Sequence, residues 1–237
     1  MKVIHLITFI LFLIISNTTS YVFADTNSDN DSATTSNIKT KTQSAVVVAN
    51  TDCTDGPCKV VFDTTTKVMN SVNRGDSSEK ILAIVSPKFD FQLMTKFAMG
   101  NNWKIADKEQ KEKLVTLFKQ LLTYTYSNAW SKFKDAKITI TSTEITSVKD
   151  STSNKQTAVI ISQVLLPNSA DNQPIKVEYD LANTGSNNAW VAYDIKIVDA
   201  SLVTTYRNQF NDIIQSSKVD GLIAQLQTKV ANLKNKK

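Results

Sequence analysis

The chain has 237 residues, 27 Lys and Arg against 22 Asp and Glu, and a single histidine, His5, near its start. Its five glycines, Gly56, Gly75, Gly100, Gly185 and Gly221, are too widely spaced for a GxGxxG or a GxxxxGKS/T loop, which excludes nucleotide binding of those kinds. The charges alternate in sign instead of forming runs, the pattern of a solvated surface and not of a nucleic-acid footprint.

Lys2, an apolar run from Leu6 to Ile15 and a polar stretch ending in Val22-Phe23-Ala24 have the form of a secretory signal peptide over residues 1–24, cleaved after Ala24. The run is well short of the roughly 20 apolar residues that a spanning helix needs. No cysteine follows it to carry a lipid anchor. Its removal takes away His5, which excludes Ser-His-Asp and Cys-His catalysis, His-ligated zinc and His acid/base chemistry from the mature chain. No cofactor or metal site is expected. What remains carries 26 basic and 22 acidic residues, a net +4 that leaves weak attraction to anionic surfaces open.

Residues 25–44, beginning DTNSDNDSATTSNIKTKTQ, have almost no apolar side chain and read as a flexible polar leader. From 45 to 237 the composition is that of one globular domain. Cys53 and Cys58, in CTDGPC, are the only cysteines and read as a local disulfide in an exported chain, adding about 2 kcal/mol through loop entropy. Pro57 opens a first helix with Val61, Thr65, Val68, Met69 and Val72 on one face. A short helix over Ser78 to Val85 stops at Pro87. The stretch SPKFDFQLMTKFAMGNNW then crowds in Phe89, Phe91, Met94, Phe97, Met99 and Trp103.

Asp107 and Gln110 form a capping box before a long helix whose apolar positions run from Leu114 through Leu121 to Ala129, Trp130 and Phe133. Four strand-like runs follow: KITITSTEITSV, QTAVIISQVLL, PIKVEYDLAN and AWVAYDIKIV, separated by turn residues and predicting an antiparallel meander. In the third, Ile175, Val177, Tyr179 and Leu181 alternate with Lys176, Glu178 and Asp180, giving one dry and one wet face. Two helices end the chain, with stripes Leu202, Val203, Tyr206, Phe210, Ile213, Ile214 and Val219, Leu222, Ile223, Leu226, Val230, Leu233. The order predicts an α+β fold, a curved antiparallel sheet of about four strands covered by helices.

Three stretches, FDFQLMTKFAMGNNWKIADKEQKEKLVTLFKQLLTYTYSNAW, WVAYDIKIVDASLVTTYRNQFNDII and DGLIAQLQTK, together resemble the MlaC or toluene-tolerance auxiliary family. Ala200 stands where that family commonly has glycine. The resemblance implies an NTF2-like cone with added helices and a deep apolar cavity, and a monomeric periplasmic carrier, not an enzyme. Its partners would be a phospholipid ligand, an inner-membrane ABC lipid transporter complex and an outer-membrane lipoprotein/porin complex, with no nucleic acid. Its role would be to maintain outer-membrane lipid asymmetry.

On that resemblance the expected cavity lining is Val159, Ile161, Ile175, Val177, Tyr179, Leu181, Val191, Tyr193, Ile195 and Ile197 from the sheet, with Phe91, Met94, Phe97, Leu121 and Tyr124 from the helices. Phe89, Phe91, Met94 and Phe97 are expected to form a helical flap on the sheet's open side. Asp194, pointing away from the dry face, and Arg207 just downstream form a candidate structural ion pair. Two other classes of function compete. One is an enzyme using Asp194, Tyr193 or Tyr179 as acid or base in an apolar pocket. The other is a secreted protein docking to anionic cell-surface material.

Overall fold

A computed structural model describes residues 47–150, 153–167, 172–183 and 189–235. The expected signal peptide over 1–24 and the polar leader over 25–44 lie outside the described residues. Pro57 sits in the first turn of α1, Gly56–Arg74, which Gly75 ends in a left-handed cap. Helix α2, Ser78–Val85, passes into a 3-10 turn at Ser86–Lys88 that holds Pro87. Asp90 caps α3, Phe91–Met99, by accepting from the Leu93 N–H at 2.8 Å. At Gly100, which closes α3, the Arg207 side chain passes 3.5 Å from where a Cβ would stand.

The capping box forms at the start of α4, Lys108–Tyr126: the Gln110 N–H donates to Asp107 at 2.8 Å and the Asp107 N–H donates to the Gln110 side chain at 3.0 Å. The α-helix is shorter than its apolar stripe suggests. It ends at Tyr126, and Ala129, Trp130 and Phe133 lie in a 3-10 segment, Ser127–Phe133. Ser127 supplies the physical reason, because its hydroxyl donates to the Tyr124 carbonyl and its own carbonyl accepts from the Ser78 hydroxyl at 2.7 Å. A side chain competing for backbone groups in this way weakens the helix locally.

The sheet has six strands in sequence order, two more than expected. β2 (Lys137–Asp150), β3 (Ser153–Leu165), β4 (Ile175–Asn183) and β5 (Trp190–Ile197) form the antiparallel meander. β1 (Val47–Ala49) adds parallel to β2, which makes the sheet mixed, and β6 (Ala200–Ser201) adds antiparallel to β5. At three and two residues these edge strands are too short to show a period-two pattern.

Helix α5, Leu202–Asn235, is two helices joined at Lys218, whose φ of 58° and ψ of −173° are not helical. Just beyond, a Cβ at Gly221 would overlap the Cβ of Ser217, so the corner requires glycine there.

Helix α1 packs on one face of the sheet. Cys58 and Val61 are buried against Ile140, Ala158, Ile160, Leu181, Trp190 and Ala192, and Met69 against Ala136, Ile138 and Val164. Behind it Val68 and Val72 meet Ile81 of α2. The helical part has its own centre, where the Phe118 ring of α4 meets Tyr206 and Phe210 of α5 edge-on at 4.8 and 5.4 Å.

Candidate functional site

The apolar face of β4 is built by simple alternation. Ile175, Val177, Tyr179 and Leu181 pair with Val164, Ser162, Ile160 and Ala158 of β3, so all eight project to the side that α1 covers. Ile195 and Ile197 of β5 stand opposite Tyr179 and Val177 and extend this face. Leu181 is buried, but Ile175, Val177, Tyr179, Ile195 and Ile197 are only half-buried. The result is a broad apolar surface, closed where α1 lies and less closed toward β5. Burial holds the Tyr179 hydroxyl in its neutral form, raising its pKa despite hydrogen bonding with Ser162 and with Thr65 of α1.

Four expected lining residues, Val159, Ile161, Val191 and Tyr193, do not join this face. Val159 and Ile161 of β3 pair with Asp180 and Glu178, and Val191 pairs with Ala182, on the face opposite the α1 core. The cause in β5 is a register shift between Asp180 and Leu181 that leaves Tyr193 as the extra residue and turns Trp190 and Ala192 inward. Tyr193 meets the Phe97 ring of α3 edge-on at 5.3 Å. In β3 the inward set is Ala158, Ile160, Ser162 and Val164, and the exposed Gln163 marks the outward parity that Ile161 and Val159 share.

The helical candidates divide in a similar way. Met94 and Leu121 are fully buried, Phe91 and Phe97 are half-buried, and Tyr124 is half-buried near the end of α4. The Phe91 ring carries the Lys119 ammonium 5.3 Å from its centre. The segment before α3 is tied to the sheet, since the Asp90 N–H donates to the Ala192 carbonyl at 2.9 Å and Phe89 packs into the α1–sheet cluster.

The outer face of β4 and β5 is charged. Lys196 contacts Glu178 and lies 3.0 Å from Asp180, while Lys176 bridges Glu178 and Asp199. Burial opposes the Lys196 charge, but hydrogen bonds to Glu178 and Asp180 outweigh it and hold the ammonium above its ordinary range. Burial wins at Asp180, whose carboxyl is raised in spite of Lys196, with Asp194 and Glu178 adding to the rise.

The expected Asp194–Arg207 pair does not form. Asp194 accepts from the Ser201 hydroxyl at 2.5 Å, the Val203 N–H at 3.0 Å and the Ile195 N–H at 2.9 Å. Ser201 in turn accepts from the Thr204 N–H at 2.9 Å, so a strand carboxylate and a serine together cap the start of α5. Arg207 faces elsewhere and donates to the Phe97 carbonyl at 2.7 Å. The two cysteines are joined with Cα atoms 4.8 Å apart, and Cys58 is part of the α1–sheet core.

The arrangement so far is an extended apolar face under a helix, with the charged side chains of β4 and β5 on the reverse side or capping a helix. The family profile described as MlaC protein matches residues 60–228. The chain belongs to the MlaC family. Among solved structures, a phospholipid-binding protein from Ralstonia solanacearum, determined in complex with a phospholipid, is 27% identical, with a TM-score of 0.58. The likeness covers 76% of this MlaC-family chain and 99% of that one. No helix among the described residues is long and apolar enough to cross a membrane.

Proposed function

We propose that this MlaC-family protein is a periplasmic phospholipid carrier that moves lipid between an outer-membrane lipoprotein/porin complex and an inner-membrane ABC transporter, and so maintains outer-membrane lipid asymmetry. In this reading the sheet and helices form an NTF2-like cone, and the protein binds lipid without transforming it. The observation that carries the reading is that a relative matched over 99% of its length binds phospholipid. The half-buried face of Ile175, Val177, Tyr179, Ile195 and Ile197 is the surface with which this chain would do the same.

The physical need is large. Two acyl chains of about 14 methylenes each, at roughly 0.8 kcal/mol per methylene, cost about 22 kcal/mol to leave in water. A carrier must therefore cover most of both tails, and the half-buried part of the sheet face is where this chain would do so.

Organic extraction of protein purified from the periplasm, followed by mass spectrometry, tests the proposal. Diacyl phospholipid in stoichiometric amount is the expected result. Protein that is empty as isolated, takes up no phospholipid from donor vesicles and turns over a small substrate would overturn it in favour of an enzyme.

A further inference from the structure

The chain between α3 and α4 exposes an apolar side chain where packing does not require one. Ile105 is 69% exposed, ahead of Ile145 at 49%, Val198 at 47% and Val48 at 41% among the exposed large apolar side chains of the described residues. Its neighbour Ala106 is buried, so the backbone is seated on the protein while Ile105 stands out from it. The segment is also fastened to α5 on both sides. Asn102 donates to Asn211 at 3.3 Å, Gln110 donates to Asp220 at 2.8 Å, and Arg207 holds the Phe97 carbonyl just before Gly100. The exposure is a fixed presentation and not the excursion of a loose loop.

The surroundings are basic and aromatic. Lys104 and Lys108, one residue before and three after Ile105, are exposed, and Lys111 lies 5.5 Å from the centre of the Trp103 ring. The acidic side chains nearby are largely engaged: Asp107 caps α4, Glu109 is paired with Lys113 at 2.6 Å, and Glu112 lies a turn beyond Lys108 along the helix. An apolar tip and a tryptophan within a collar of lysines have the chemistry of a side that meets lipid headgroups.

We propose that the Trp103–Lys108 turn is a membrane-contact site that docks the protein transiently on the anionic surface of a phospholipid bilayer, with Ile105 entering the interface and Lys104 and Lys108 facing the headgroups. Near an anionic surface each lysine contributes about a fivefold gain in binding, so two give a preference of about 25-fold over a neutral surface at low salt. One inserted isoleucine adds little permanence, which suits a contact that must release. The site stands independently of the carrier reading.

The test is sedimentation of the intact purified protein with vesicles of phosphatidylethanolamine and phosphatidylglycerol, set against phosphatidylcholine vesicles. Binding to the anionic vesicles only, weakened about fivefold by each of Lys104→Gln and Lys108→Gln, weakened by Ile105→Ser, strengthened by Ile105→Trp and lost in high salt, is expected. Bound phospholipid carried through purification should be unchanged in all four variants, which separates this site from the lipid-holding face. Equal binding to both vesicle types, no binding to either, or anionic binding indifferent to Ile105 and the lysines would overturn the proposal. Loss of binding to a membrane protein in these variants without any vesicle binding would likewise replace the bilayer with a protein partner.

Discussion

Val177→Asp places a carboxylate in the middle of the apolar face, opposite Ser162 and Ile197 and beside the cluster of Met69, Ile138 and Val164. Its cost has a ceiling, because a carboxyl that cannot be solvated takes up a proton instead. From an unfolded pKa of about 3.9, remaining neutral at pH 7 costs about 3.1 × 1.36, or about 4 kcal/mol. At pH 5 the same ceiling is about 1.5 kcal/mol. Because the new group has a raised folded pKa, its penalty is absent below about pH 4 and grows as pH rises. Relative to wild type, Val177→Asp should therefore recover up to about 2.5 kcal/mol between pH 7 and pH 5, with less recovery in proportion to the exposure that Val177 retains. Gln163→Asp puts the same group on the outer face, exposed and opposite Lys176, and should change stability by no more than about 0.5 kcal/mol. Denaturant unfolding at the two pH values gives the stabilities, and extraction with mass spectrometry gives phospholipid per protein. Val177→Asp should lose its lipid and Gln163→Asp should keep it. A folded Val177→Asp protein with a full complement of lipid at pH 7, or equal lipid loss in both variants, would refute the assignment of this face to the tails.

Lys196→Met strands the buried Asp180 and leaves Glu178 only its longer contact to Lys176, and after allowing for the partial exposure of Lys196 should cost about 2 kcal/mol at pH 8. Protonation of Asp180, whose folded pKa is already raised, should shrink that loss at pH 5, as read by thermal unfolding at both pH values. Burial pushes the Tyr126 hydroxyl up to about 12 and also raises Tyr179, Tyr193 and Tyr206; the stability that Tyr126 contributes is complete below about pH 10 and is lost as pH rises through 12. Absorbance at 295 nm should show part of the tyrosine signal ionising only as the protein unfolds. Asp194→Ala removes the cap on α5 and should cost about 2–3 kcal/mol, Arg207→Ala less than about 1, and the double variant should be additive within about 0.5 in denaturant unfolding, since the two groups do not pair. Gly221→Ala should lower stability by about 2–4 kcal/mol through overlap with Ser217, and Ser217→Gly in the same chain should restore part of the loss.

The features legible in the sequence were those that a single side chain or a clean period announces. Pro57, the Asp107–Gln110 box and the alternation IKVEYDL each fix their element locally, and each stands where it was read. Parity failed in β3, where Val159, Ile160 and Ile161 are all apolar and the inward Ser162 hides the alternation. Gln163, exposed two residues beyond Ile161, was the available signal. The β5 error is of another kind, because a register shift depends on the partner strand and has no signature in WVAYDIKI itself. The Asp194–Arg207 pair failed because proximity along the chain says nothing of competing donors. The N–H groups at the start of α5 lie nearer to Asp194 and need an acceptor.

The cap that Asp194 places on α5 also bears on the order in which the protein assembles. Its partners Ser201 and Val203 are seven and nine residues away, so the β5–β6–α5 corner can close from contacts within a short piece of chain. Helix α1 and β1 meet partners much farther along, Val47 beside Ile138 and Val61 beside Trp190, and must wait for the strands to be made. Between those two events the apolar face of the meander stands without its cover. The chain thus passes through a stage at which this apolar surface is open to any apolar molecule nearby, and the rate at which α1 arrives sets how long that exposure lasts.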